Sequence, residues 1–149
     1  MGTPTARRSA DALLAEPVTT SRDLQQRWRE VLEPPVFAAR SLWLMWLHAD
    51  GRALPLIVPV DELPRRFDAV AARGLVELAT TIRDEQTTSS GHVALALCRP
   101  GQATVTGSDR EWADGLGRAA ADGGLDSWSL HLAADGFVAP LVDPPWPAS

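Results

Sequence analysis

The chain has 149 residues and a mass of 16.0 kDa, the size of one ordinary domain with enough length to bury a two- or three-layer core. With 45% hydrophobic and 22% charged residues the balance is that of a soluble globular protein, and no apolar run approaches the ~20 residues that span a bilayer. A formal net charge of −5 and a pI near 5.1 exclude a general nucleic-acid binder, which needs a basic stripe to neutralise phosphates, though not a local basic pocket.

All of the positive charge is arginine, and tyrosine is absent while tryptophan is plentiful, a bias expected of a GC-rich bacterial genome. Each basic site is therefore a planar, permanently charged fork able to grip a carboxylate or phosphate in two places. Met1 to Glu16 carries Arg7 and Arg8 without an apolar h-region, so a secretory signal is not expected. The lone Cys98 allows no intrachain disulfide, which fits a cytoplasmic location.

Taken in chain order, residues 1–19 lack apolar periodicity and read as a disordered arm. Ser21 reads as an N-cap for a short amphipathic helix carrying Leu24, Trp28, Val31 and Leu32, stopped by Pro34 and Pro35. Ser41 to Leu47 is apolar at consecutive positions, as in a central strand covered on both faces, and Trp43 and Trp46 must point to opposite faces. Asp50-Gly51 then predicts a hairpin into Leu54 to Val58. Pro59 and Pro64 bracket a connection, with Pro64 placed in the first turn of a helix through Phe67, Val70, Ala71, Leu75, Leu78, Ala79 and Ile82. Gly74 reads as a point of close packing on a neighbour. Val93 to Cys98 predicts a second central strand, and Arg99-Pro100-Gly101 a turn. Ser108, Asp109 and Glu111 signal the start of a helix that Gly123 and Gly124 end. Trp128, Leu130 and Leu132 alternate as a strand, Asp135-Gly136 turns, and Phe137 to Val142 closes the sheet. Trp146, in a Pro-rich tail over 144–149, is expected to pack on the body.

Three kinds of chemistry can be weighed from residue types. His48, His92, His131 and Cys98 are metal-ligand types, but none stands at metal-site spacing, and no metal or cofactor is implied. Cys98 as a nucleophile would need a base such as His131 and a lowered thiol pKa; a small buried hydrophobe is the simpler role. Arg99 to Ser108 precedes a helix N-terminus, a generic anion site, but it has neither of the glycine-rich phosphate-binding signatures. Asp61-Glu62, Asp109 and Glu111 make no paired-carboxylate pattern.

The succession of a strand, a Pro-Gly turn, Thr106-x-Ser-Asp109 opening a helix, a Gly-ended helix and a strand with His131-Leu132 resembles the JAB/MPN family, most closely its RadC-type branch. The resemblance runs from about Val36 to Val142. It implies that Pro100 matches the motif proline, Thr106 its serine, Asp109 its ligand aspartate and His131 its later histidine. Leu97 and Arg99 then stand at the two ligand-histidine positions, Leu130 at the later aspartate and Arg40 at the catalytic glutamate. One surviving ligand cannot hold catalytic zinc. The chain also resembles small bacterial proteins of unassigned function with similar Arg40-Ser-Leu-Trp43, Arg99-Pro-Gly101 and Asp109-Arg-x-Trp-Ala113 segments.

The expected fold is α/β (α+β), a single mixed sheet flanked by helices in a JAB/RadC-like or deaminase-like three-layer arrangement over residues 20–143. The expected function is a non-catalytic, metal-free interaction module for a protein partner or a small anionic ligand, with Arg40, Arg99, Asp109, Thr106, Ser108 and His131 as its ligand-binding residues. An Arg40-Asp109-Arg99 cluster would replace the metal ion and its base. The alternatives are a metal- or Cys-dependent hydrolase, and a structural subunit burying its Trp-rich faces.

Overall fold

The computed structural model describes residues 16–88 and 90–148. Its elements are α1 (Ser21–Val31), β1 (Ser41–Leu47), β2 (Ala53–Asp61), α2 (Ala69–Gln86), β3 (His92–Cys98), α3 (Gly107–Asp122), β4 (Trp128–Ala134) and β5 (Phe137–Val142). The five strands form one mixed sheet in the order β2-β1-β3-β4-β5, with β3 and β4 parallel and the other neighbours antiparallel. This is the expected α/β class.

Period-2 alternation sorts the central strands into two faces. Leu42, Leu44 and Trp46 of β1, Val93, Leu95 and Leu97 of β3, and Leu130 and Leu132 of β4 pack with α2 and α3. Met45, Leu47, Ala94, Ala96, Cys98 and Ala133 pack with Leu24, Trp28 and Leu32 of the α1 segment. The small residues of β3 on this second face let α1 approach the sheet. Trp46 and Trp43 fall on opposite faces as the spacing requires, and the buried Trp46 Nε1 donates to Ala79 O at 2.9 Å, which ties β1 to α2.

Several local expectations are corrected. The α1 cap is Thr20, whose Oγ1 accepts from Asp23 N while Asp23 accepts from Thr20 N, a reciprocal pair that Ser21 has no carboxylate to complete. Ser21 and Arg22 instead donate their backbone N–H groups to the carbonyls of Pro147 and Ala148. The tail thus satisfies helix donors that have no intrahelical acceptor. Val18, inside the expected arm 1–19, is buried and donates to Gly51 O at 2.8 Å; residues 1–15 lie outside the described residues. A side chain at Gly51, where φ is +91°, would strike the Val18 carbonyl.

The strand β2 runs through Pro55 and Pro59 to Asp61 because it lies at the sheet edge, where a missing N–H is tolerated. Pro64 stays outside α2, which begins at Ala69 with Asp68 as its N-cap. Gly74 is exposed, with nothing near the place of a Cβ. The cap of α3 is Thr106 rather than Ser108: Thr106 Oγ1 accepts from Asp109 N and Asp109 accepts from Thr106 N, while Ser108 Oγ is turned to the carbonyl of Arg65. The tail does pack as expected: Trp146 lies 4.4 Å from the His92 ring, centroid to centroid.

Candidate functional site

The antiparallel register Ser41↔Cys98 sets the last residue of β3 beside the first of β1. One step beyond, Arg40 and Arg99 stand opposite each other, and opposed residues of an antiparallel pair project to the same face. By alternation from Leu97, that face is the one covered by α2 and α3. Sheet register therefore brings together two arginines that are far apart in sequence.

Arg99 is 4% exposed and Asp109 0% exposed. Arg99 Nε donates to Asp109 Oδ1 at 2.9 Å and Nη2 to Oδ2 at 2.7 Å, a bidentate pair. Nη1 donates to the carbonyls of Pro100 and Gln102, and Nη2 also to that of Thr104. These contacts use the whole donor fork of a guanidinium. Arg99 is thus the staple that curls the 100–104 loop around itself, and it has no fork left for a ligand. Asp109 Oδ2 also accepts from Thr106 N at 2.9 Å. Burial alone would raise the Asp109 pKa, but the Arg99 hydrogen bonds and charge, with the Thr106 contacts, hold it below the usual carboxylate value. Thr106-x-x-Asp109, which the resemblance reads as a ligand motif, is here a helix cap whose carboxylate also grips Arg99.

Arg40 is held differently. Its Nη2 donates to Ser108 Oγ at 3.3 Å, and Ser108 Oγ donates in turn to the carbonyl of Arg65. Four residues along the same helix, Trp112 Nε1 donates to Pro64 O at 3.0 Å. Two side chains on one face of α3 thereby clamp consecutive carbonyls of the β2–α2 connection. Glu62 starts that connection at φ 60°, and Leu63 N then reaches Arg40 O at 3.2 Å. A non-glycine residue in the left-handed region is strained by roughly 1–3 kcal/mol, and here it turns the chain so that Arg65 faces Arg40.

Together Arg40, Arg65, Arg99, Gln102, Thr104 and Thr106 line a cavity of about 550 Å³. Arg40 Nε is buried with no hydrogen-bond partner. Desolvation lowers the Arg40 pKa most; Asp109 opposes it, and the like charges of Arg99 and Arg65 add to it. Among the described residues Arg65 makes no side-chain hydrogen bond or ion pair, and it is exposed. Three guanidinium groups thus meet one carboxylate, which Arg99 already occupies. A second cavity of about 580 Å³ lies between α2 and α3, but its lining has two carboxylates, Glu77 and Asp122, for its two arginines, Arg73 and Arg118. The arginine mouth, not that groove, carries uncompensated charge.

His131 does not join this cluster. Its register partner Ala96 and its neighbour Ala133 lie on the α1 face, so alternation points its ring away from Arg99. It is 1% exposed, both ring nitrogens lack partners, and desolvation depresses its pKa to about 4. His92, on the same face by the same alternation, bonds Ser127 Oγ and Ser129 Oγ through its two nitrogens; burial first and His131 second bring it to about 3. Cys98 is fully buried and its thiol is pushed up to about 12 by burial, against a smaller lowering by Ser41. Neither a thiolate nor a connected base is present for nucleophilic attack. Among the described residues no cluster of His, Cys, Asp and Glu can hold a metal ion.

Of the sequence-derived site residues, Arg40, Arg99, Asp109, Thr106 and Ser108 meet at one end of the sheet and His131 stands on the other side of it. Arg65 was not foreseen, since its only sequence signal is a Pro-Arg-Arg loop with no indication of which way it folds. The chain matches no family model, no curated protein and no solved structure.

Proposed function

We propose that this protein is a non-catalytic, metal-free binding module of JAB/RadC-like organisation whose ligand is a small anion held at the arginine mouth. The observation that carries this reading is the contrast between the arginines. Arg99 is consumed within the fold, whereas Arg40 and Arg65 line the same cavity and neither has an ion pair of its own among the described residues. In a concave, partly desolvated site such charges attract anions far more strongly than on open surface. Where the JAB/RadC-like family would carry a metal ion, Arg99 is the cation that meets Asp109, and no water-activating centre follows from that exchange.

The test is a calorimetric titration of sulfate into the wild-type chain and into an Arg40→Gln/Arg65→Gln double variant, together with metal analysis of protein equilibrated with zinc. Saturable sulfate binding by the wild type, lost in the variant, and no stoichiometric zinc are expected. Absence of saturable binding would reject the anion site, and stoichiometric zinc would reject the metal-free reading.

A protein partner is favoured by a separate observation. Val36 and Phe137 are 63% and 57% exposed, and the bond from Gly136 N to Pro35 O brings their segments together at the same end of the sheet. Apolar side chains of this size left together in water suit a contact surface. Val36→Ser/Phe137→Ser should leave sulfate binding intact while abolishing any self-association seen by light scattering.

A further inference from the structure

We propose that the anion is a small phosphate monoester in its dianionic form, gripped between Arg40 and Arg65, an inference that rests on the anion-binding reading above. Charge comes first. Once Asp109 has cancelled Arg99, two guanidinium groups remain at the cavity, and their mutual repulsion is relieved fully only by a ligand carrying two negative charges.

Shape comes second. Arg40 and Arg65 approach the cavity from different elements, one before β1 and one in the β2–α2 connection. A single carboxylate presents one planar edge and answers one fork, whereas a tetrahedral phosphate presents oxygens to both at once. Thr104 and Thr106 also line the cavity, and the Thr106 hydroxyl, whose oxygen accepts from Asp109 N, keeps its own proton to donate. The N–H groups of Gly107 and Ser108, first in α3, have no intrahelical acceptor and add positive potential behind Thr106.

The site is built before the ligand arrives. Ser108 links the Arg40 guanidinium to the Arg65 carbonyl, Trp112 fixes Pro64, and Arg99 fixes the 100–104 loop. Such preorganisation lowers the ordering cost of binding. The cavity has the volume of a small-ligand site. No aromatic side chain lines it, so it offers no stacking surface for a nucleobase. The ligand class is therefore a compact phosphorylated small molecule rather than a nucleotide.

The experiment uses the full chain at about pH 8, where a phosphomonoester with a second pKa near 6 is doubly ionised. Four probes are titrated by calorimetry and followed through the arginine Nε–H resonances: methyl phosphate, dimethyl phosphate, malonate and a phosphoserine hexapeptide. Dimethyl phosphate keeps the tetrahedral shape with one charge, and malonate keeps two charges without the shape. Methyl phosphate is expected to bind at least about tenfold more tightly than either, the equivalent of one charge-assisted contact, and to shift the Arg40 and Arg65 resonances. Arg65→Gln, at an exposed residue without an ion pair, is expected to fold normally by circular dichroism and to lose that tenfold preference. Equal binding of dimethyl phosphate or malonate overturns the phosphate dianion while leaving an anion site. A hexapeptide binding about tenfold tighter than methyl phosphate overturns the small-molecule class in favour of a phosphoprotein. Saturable binding by none of the four overturns both this inference and the anion site beneath it.

Discussion

Acidification is expected to unfold this protein through two histidines that the fold keeps neutral. His131 titrates near 6.5 in an unfolded chain and near 4 in the native one, and His92 near 6.5 and near 3. Both native values are depressed, so below pH 6.5 the unfolded chain binds protons that the native state refuses, and stability falls as pH falls. Each histidine contributes a slope of ~1.4 kcal/mol per pH unit across its own interval. Between about pH 6.5 and about pH 5 the pair removes ~3 kcal/mol, a large share of the 5–15 kcal/mol that holds an ordinary domain together. Asp109 and Asp23 are held below their ordinary value of 3.8, so the stability they add is present above that value and is lost only as pH falls below it. Between pH 6.5 and 5 the histidine effect is therefore read apart from that of these carboxylates.

The assay is urea unfolding at half-unit pH steps, for the wild type and for His131→Leu. The wild-type slope in this window should steepen toward ~2.7 kcal/mol per pH unit as pH approaches 5, and the variant slope should be about half of the wild-type value throughout. At neutral pH His131→Leu should be more stable than the wild type by ~1 kcal/mol or more, because it removes two buried ring nitrogens that have no partner. A wild-type stability that stays flat from pH 6.5 to 5 would refute the argument. So would an unchanged slope in the variant. A variant destabilised at neutral pH would show that His131 has a polar partner in solution.

Three further outcomes are expected. Arg99→Met should cost ~3–5 kcal/mol by leaving Asp109 buried without its partner, whereas Arg99→Met/Asp109→Leu should recover most of that, both read by chemical denaturation; equal cost in the two would mean that the loop carbonyls, rather than the charge, dominate. Removing residues 145–149 should leave the Ser21 and Arg22 N–H groups without acceptors and uncover His92, so hydrogen exchange should rise in α1 and hardly change in β3. Cys98 should resist alkylation at about pH 8 in the native state and react at once in urea, since its thiol is buried with a pKa of about 12.

Much of the fold was legible because the sequence repeats at the period of each element. Ser41 to Leu47 and His92 to Cys98 are apolar at consecutive positions, and both prove to be central strands buried on both faces. Asp50-Gly51 and Asp135-Gly136 mark both hairpins. Cap assignments were less legible, since Thr20, Ser21, Thr106 and Ser108 are all acceptable cap residues. At α1 the carboxylate three positions on decides, since Asp23 follows Thr20 and Leu24 follows Ser21. At α3 both candidates have one, Asp109 and Glu111, and it is the engagement of Ser108 by Arg40 and the Arg65 carbonyl that leaves the cap to Thr106. Of the site, Arg99 and Asp109 were legible as neighbours because a strand end, a short loop and a helix start lie close in sequence. A motif match groups His131 with the ligand-binding residues because it gives order along the chain, while the strand alternation from Leu130 and Leu132 gives the face and sets it apart from them. Arg65 depends on the turn at Glu62 and on donors from Ser108 and Trp112, contacts across more than forty residues that leave no local signature.

The three arginines of the mouth follow one rule from buried to open. Arg99 continues a central strand directly, so the sheet and α3 bury it, and a buried guanidinium must find an acceptor for every donor within the fold. Arg40 sits beside it just before β1, but the 100–104 loop has already wrapped Arg99, so Arg40 gains only Ser108 and keeps an unanswered Nε–H. Arg65 lies one layer out, where water rather than protein solvates it. Replacing Arg99 should therefore cost stability, replacing Arg65 should cost affinity, and replacing Arg40 should cost some of each. Arg40→Gln measured in both assays is the sharpest single check on this ordering. Loss of stability alone would make Arg40 part of the framework, and only a loss of affinity as well would keep it among the residues that hold the ligand.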